Sequence, residues 1–272
     1  MLELKNICSD FFNVNDDFQD IIKRHAFCVD KNVTITPSAR GKSSFVFFVK
    51  DNAEEYIYKF PRTGFSAKTI YKEQSVTNIL RSHLCYQVPD ICIENYSGRE
   101  FSIYKMIKGE NMSDVTLDES EMRALTQELA KFIVDFHSIP IESVSYNIGT
   151  KRESLELFCK DFDYSPRFDK IADLLEERTL IHGDYHRSNI ILKDKRLNGV
   201  LDFATVSIGS KYFDIGHMMF SMNDKFNKLF IDEYEKAADR KVNWNNIERV
   251  ISFLDDMINN NYLPFIRRTR NV

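Results

Sequence analysis

Between residues 31 and 60 the apolar positions fall in short stretches. NVTITP, SFVFFVK and EYIYKF are rich in Val, Ile, Phe and Tyr, and the polar DNAE separates the last two. That pattern predicts three strands. In EYIYKF the alternation sets Ile57 and Lys59 on one face and Tyr56, Tyr58 and Phe60 on the other. A helix is predicted over residues 66–84, where Glu73 shares a face with Ile70, Thr77 and Leu80. Two further strand-like runs follow, DICIENY and EFSIYKMI, joined by SGR.

Beyond Gly109 the period lengthens. Met122, Leu125, Leu129, Phe132, Ile133 and Phe136 recur at helical spacing, and Thr116-Leu-Asp-Glu119 ahead of them reads as a capping box. Helical patterns return over residues 152–176 and throughout 223–266, with the segment from Leu180 to Ala204 interrupting them. The fold class this predicts is α+β: a small antiparallel-sheet part over residues 1–106 and a larger, mainly helical part over 107–272. The junction falls near Lys105–Gly109, and a cleft between two such parts is the expected ligand site.

The whole-chain numbers narrow the class of partner. At 272 residues with a formal net charge of -4, the chain lacks the basic excess expected of a nucleic-acid binder. Its apolar runs are too short for a membrane span. The five cysteines, at 8, 28, 85, 92 and 159, contain no CxxC pair, and MLELKNICSDFF carries polar and acidic residues where a signal peptide would be apolar. A reduced, cytoplasmic protein with no thiolate metal site and no membrane partner is expected.

The candidate chemistry lies in LIHGDYHRSNIILKDKRLNGVLDFA, Leu180 to Ala204. Two apolar runs flank a polar loop, and the turn LKDKRLNG lets the runs pair, which brings Asn189 beside Asp202. An amide oxygen and a carboxylate suit a hard divalent cation such as Mg²⁺, which keeps few protein ligands and completes its shell with phosphate oxygens and water. Asp184 then stands close to that cation and remains able to accept a proton. Upstream, inward-facing Lys59 and Glu73 are expected to pair, holding an ammonium ready for phosphate oxygens. The segment Ala39-Arg-Gly-Lys-Ser-Ser44 is small and polar enough to fold over phosphates, with Ser43 and Ser44 as candidate contacts.

A lysine on the third strand, a helix glutamate, D-x4-N and a later aspartate fit the phosphoryl-transfer template. H-G-D-Y-H-R-S-N followed by L-D-F resembles the aminoglycoside phosphotransferase and choline kinase group of protein-kinase-like small-molecule kinases. The likeness runs from about residue 30 to 220 and implies a bilobal kinase-like fold. It implies Asp184 as the catalytic base, Asn189 and Asp202 as Mg²⁺ ligands, and Lys59, backed by Glu73, on the phosphates of ATP or GTP. Lys105 and Ile107 resemble the nucleobase-reading linker. His186 stands where protein kinases carry a lysine aimed at the γ-phosphate, Arg187 being the alternative source of charge. Asp214, in Y-F-D-I-G, resembles an aspartate that braces the catalytic loop. Ala204 replaces the glycine of D-F-G.

The acceptor this implies is a small-molecule hydroxyl, with an aminoglycoside first. FPR after Lys59 and IYKMIKGE resemble that branch. Choline or ethanolamine, a sugar such as methylthioribose, a macrolide and homoserine stand behind it. Trp244 and Tyr262 are the aromatic residues a choline pocket would call on. The alternative from another class is a catalytically silent nucleotide-binding scaffold. His182 reads as a core histidine bonded to the loop, and His25, His83, His137 and His217 show no ligand-like spacing. Asp232, Glu233, Glu235, Asp255 and Asp256 read as solvated helix faces.

Overall fold

A computed structural model describes residues 11–25, 33–39, 41, 43–51, 54–144, 148–161 and 167–259. Arg40 and Lys42 of the expected phosphate loop, Cys8, Cys28 and Tyr262 lie outside the described residues. The chain divides into two compact units, one formed by residues 1–78 and 89–106, the other by residues 79–88 and 107–272.

The first unit is a five-stranded antiparallel sheet with helices. Its strands are β1 (Thr34–Pro37), β2 (Ser44–Asp51), β3 (Glu54–Pro61), β4 (Cys92–Tyr96) and β5 (Arg99–Lys105), in the order β1-β2-β3-β5-β4. Helix α1 (Phe18–Arg24) precedes them, and α2 (Gly64–His83) follows β3, its last turn counting with the second unit. The two faces of β3 differ, as its alternation requires. Tyr58 and Phe60 are fully buried with Phe12, Ile21, Ile22, Val49 and Phe101, while Ile57 packs with Ile91 and Tyr104 in a separate cluster. The expected strands and helix are all present. Helix α1 has no counterpart in the sequence reading: at seven residues it is too short to display a period. It is anchored by Asp17 at its N-cap and seals the aromatic face, where Phe18 lies 5.0 Å from each of Phe45, Phe47 and Phe60.

The second unit contains helices α3 (Glu119–His137), α4 (Lys151–Lys160), α5 (Ala172–Glu176), α6 (Tyr212–Phe220), α7 (Asp224–Ala238) and α8 (Trp244–Asn259). Two small antiparallel sheets sit among them. One is built from β6 (Glu110–Asn111), β8 (Ile190–Lys193) and β9 (Arg196–Val200), the other from β7 (Thr179–Ile181) and β10 (Ser207–Gly209). The apolar stripe on α3 is its buried face: Leu125, Leu129, Phe132, Ile133 and Phe136 are all inaccessible.

Four places differ from expectation, the first being residues 152–176, where α4 ends at Lys160 and α5 begins only at Ala172. The capping box of α3 uses Asp118 and Glu121, not Thr116 and Glu119. The Asp118 carboxylate accepts from the Glu121 N–H at 2.9 Å and Glu121 accepts from the Asp118 N–H at 2.8 Å. Asp is as good an N-cap as Thr, and its place two residues nearer the apolar stripe decides the register. The helical stretch 223–266 is broken by Asp239, which ends α7 in a left-handed conformation (φ 47°). Ser44 belongs to β2 and is buried, so it is not part of a solvent-facing loop.

Candidate active site

In the first unit Lys59 and Glu73 meet. Lys59 Nζ lies 3.1 Å from Glu73 Oε2 and 3.3 Å from Oε1, with only 15% and 5% of the two side chains exposed. Strand register puts Lys59 between Val46 and Ser102, and Thr77 and Ile70 are buried on the same face of α2 as Glu73. A carboxylate this deep requires its ammonium, because an uncompensated buried charge costs several kcal/mol. The Ser43 carbonyl accepts from the Arg62 N–H and the Ser66 hydroxyl. Lys105 closes β5 with its side chain exposed on Glu54, and the unit boundary falls between Met106 and Ile107. Ile107 is buried in the second unit, packed so close to Gly199 that a Cβ there would come within 2.9 Å of it.

In the second unit the candidate residues lie in the turn His182-Gly183-Asp184, which follows β7. Gly183 takes φ +80°, and a Cβ on it would approach the Thr205 carbonyl to 2.6 Å, so glycine is required. All the backbone polar groups of these three residues are bonded to side chains. Asp214 accepts the His182 N–H through Oδ2 at 2.8 Å and the Gly183 N–H through Oδ1 at 2.7 Å. Thr205 Oγ1 donates to the His182 carbonyl, and Lys151 Nζ donates to the Gly183 carbonyl at 2.8 Å. The Asp184 N–H donates to His182 Nδ1 at 3.3 Å, and Asn189 Nδ2 donates to the Asp184 carbonyl at 2.9 Å. His182 itself is fully buried and bonds the Leu201 carbonyl through Nε2. Burial lowers its pKa, which keeps it the neutral imidazole those two bonds require.

The Asp184 carboxylate is about 30% exposed and is touched on both oxygens. Asn189 Nδ2 lies 3.2 Å and His186 Nε2 3.3 Å from Oδ2, while His217 Nδ1 lies 3.5 Å from Oδ1. Burial opposes the Asp184 charge, but His186 beside it holds the carboxyl far below the ordinary range, so the group is an anion at neutral pH. Burial pushes the His217 imidazole down to about 3, against the pull of Asp184 and with Lys151 adding to the effect. His217 therefore meets Asp184 uncharged.

Asn189 and Asp202 are brought together by strand pairing. Ile190 opposes Val200 across β8 and β9, and the Leu201 N–H donates to the Asn189 carbonyl at 2.8 Å, with Asp202 next in the chain. Because the Asn189 amide nitrogen bonds Asp184, its Oδ1 is the donor that remains to that side chain. An amide oxygen and a carboxylate are the hard donors Mg²⁺ takes, so the residues present fit that ion. Among the described residues no group of three or more His, Cys, Asp and Glu side chains could hold a metal ion. Asp202 sits in a left-handed conformation (φ 62°), a strain of the kind that concentrates at functional sites. Phe203, next in the chain, is buried with its ring 4.8 Å from that of His182.

Lys151 and His217 reach this turn and His137 reaches the Asp214 that holds it, and the motifs mark none of the three for that place. His217 carries a signal, since it lies three residues after Asp214 on α6 and so shares its face. His137 Nε2 lies 2.9 Å from Asp214 Oδ2, across 77 residues of chain, and Lys151 bonds a residue 32 positions away. No pattern links such positions. Of the acidic helix residues, Glu233 pairs with Lys236 and Glu235 with Lys241, and both glutamate side chains are largely covered, not solvated as expected. Trp244 is about half exposed at the start of α8.

The family model described as the phosphotransferase enzyme family matches residues 34–249. Among curated proteins, the chain is 24% identical over 218 residues to acyl-CoA dehydrogenase family member 11 of Homo sapiens, covering 69% of this chain and 28% of that one. The chain thus spans little more than a quarter of that relative. A probable aminoglycoside 3'-phosphotransferase of Lactococcus lactis is 22% identical over 75% of this chain and 84% of its own. Among solved structures, the GDP and kanamycin complex of an APH(2'') enzyme aligns with a TM-score of 0.70 at 17% identity, over 93% of each chain. The apoenzyme of a macrolide 2'-phosphotransferase from Brachybacterium faecium aligns with a TM-score of 0.62 at 17% identity, over 88% of each chain.

Proposed function

Because the chain belongs to the phosphotransferase enzyme family, we propose that it transfers the γ-phosphoryl group of ATP or GTP to a hydroxyl of a small molecule, with Asp184 as the base. The observation that carries this reading is the Asp184 turn: a carboxylate kept anionic, partly open to solvent, and locked in place by buried side chains. Asp184 accepts the proton of the acceptor hydroxyl and orients its oxygen for in-line attack. Asn189 and Asp202 would hold Mg²⁺, which when bound neutralises polyphosphate charge. Lys59, held by Glu73, meets the phosphates with Ser43 beside them, and His186 adds positive character beside Asp184. The Lys105 carbonyl and Ile107 N–H are assigned to the nucleobase. Residues 1–106 thus form the nucleotide-binding part and residues 107–272 the catalytic and acceptor-binding part. No helix among the described residues is long and apolar enough to cross a membrane, and we assign the reaction to the cytoplasm.

For the acceptor we favour an aminoglycoside. The support is a curated relative described as an aminoglycoside 3'-phosphotransferase and structural neighbours described as kanamycin, streptomycin and gentamicin complexes. The macrolide 2'-phosphotransferase neighbour makes a macrolide the second choice. The test is Mg²⁺-dependent transfer from ATP and GTP across aminoglycoside, macrolide, choline and sugar acceptors, run beside Asp184→Asn. We expect the variant to lose about 10²–10⁴-fold in kcat while nucleotide affinity stays within about twofold. Equal turnover by the two proteins would remove Asp184 from its role. Nucleotide binding without transfer to any acceptor would favour a silent scaffold.

A further inference from the structure

Lys151 is the first residue of α4, and its backbone is fixed before its side chain does anything. Thr150 caps the helix in a reciprocal box with Glu153, Thr150 bridges to Ile208, and the Gly149 carbonyl accepts from the Ile208 N–H at 2.9 Å. From this anchor on β10 the lysine stem crosses Gly209, where a Cβ would come within 2.8 Å of the Lys151 Cβ. Its ammonium ends at the Gly183 carbonyl, 5.3 Å from the centre of the Phe213 ring and 3.2 Å from where a Gly183 Cβ would stand. Two glycines thus leave room for one side chain.

That side chain is 3% exposed. Its ammonium bonds a carbonyl, not a carboxylate, and burial pulls its pKa below that of an ordinary lysine, with Asp184 and Asp214 acting the other way. Burying a cation in this manner is costly, and a methionine would fill the same path without that cost. What the lysine adds is a charged donor at one peptide group. Across Gly183 the charges are complementary: Asp214 takes the N–H and Lys151 the carbonyl. The peptide Lys151 holds is the one that joins Gly183 to Asp184, so a tilt there swings the Asp184 carboxylate directly.

Resting on the phosphoryl-transfer reading above, we propose that Lys151 is a positioning residue: its buried ammonium, bonded to the Gly183 carbonyl, fixes the Gly183–Asp184 peptide and thereby aims Asp184 at the acceptor hydroxyl. Lys151 touches neither substrate, and its effect belongs in kcat. Displacements of about 1 Å in a catalytic group cost up to about 10²-fold in rate.

The experiment compares wild type with Lys151→Met in thermal unfolding and in steady-state transfer, using an acceptor the wild type phosphorylates. A folded K151M with kcat reduced tenfold to about a hundredfold and a nucleotide KM within about twofold of wild type is the expected result. A folded K151M with kcat within twofold of wild type overturns the proposal. So does a loss of activity that merely follows the unfolded fraction or appears as an equal rise in nucleotide KM. Should K151M not fold, Lys151→Gln takes its place under the same criteria, and failure of both to fold assigns the lysine to stability alone. A wild type inactive on every acceptor would sink the transfer reading and this inference together. An active wild type matched by K151M removes the inference alone.

Discussion

Lys59 and Glu73 meet across a strand and the helix that follows it in the chain, fourteen residues apart. The Asp184 turn is held instead by Asp214 on α6, Lys151 on α4 and Thr205 beyond β9, with His137 at the end of α3 bonded to Asp214. The first is a local ion pair on regular elements; the second is an irregular turn whose backbone has no partner in any sheet. Backbone groups buried without partners cost about as much as lost hydrogen bonds, so a turn of this kind must recruit side chains from wherever the fold brings them. Local sites therefore tolerate neighbouring changes, while the turn depends on residues scattered over the unit.

Asp214→Asn breaks that comparison most severely. Asp214 is fully buried and accepts two amide N–H groups besides contacting His137. Asparagine cannot accept on both atoms, so we expect a loss of about 4 kcal/mol at pH 7, measured by denaturant unfolding. The pH dependence has a definite sign. Burial raises the Asp214 pKa, but His137, His182 and the Gly183 amide outweigh it and the net shift is downward. A carboxyl lowered on folding stabilises above its unfolded pKa and stops doing so as pH falls through its folded value. The gap between wild type and D214N should thus be full above about pH 4 and shrink below it. A gap that widened on acidification would contradict the assignment.

The same contrast decides what could be read in advance. Period-2 alternation in EYIYKF put Lys59 opposite Tyr58 and Phe60, and period-3.6 spacing put Glu73 with Ile70 and Thr77, so the pair was visible before any coordinates. The antiparallel sheet, the α3 stripe and the pairing that joins Asn189 to Asp202 were visible for the same reason. Helix α6 was not, because all nine of its residues are buried and an all-buried helix displays no amphipathic period. His217 was hidden with it. Lys151 was hidden by distance, and in a sequence it is indistinguishable from any lysine in the first turn of a helix.

Lys59→Met sharpens the comparison at the local site. The Glu73 carboxylate is 5% exposed, so losing the ammonium should cost about 2 kcal/mol in denaturant unfolding, below the range for a buried charge left wholly uncompensated. If Lys59 meets the phosphates as proposed, nucleotide KM should rise at least about tenfold. Adding Glu73→Gln should recover most of the stability and none of the affinity. Recovery of both would mean that Lys59 serves the fold and not the nucleotide.

The smallest effect tests a register. If α3 begins where Asp118 and Glu121 close on each other, Asp118→Ala should cost about 1 kcal/mol, the usual loss on removing a good N-cap. Thr116→Ala, two residues outside the box, should change stability by less than about 0.5 kcal/mol. The Asp118 carboxyl is held below the ordinary range, first by its bond from the Glu121 N–H and then by the Ser120 hydroxyl, and it faces solvent, so its contribution fades on acidification and weakens in salt. Equal costs at the two positions, or a larger one at Thr116, would move the start of α3 upstream.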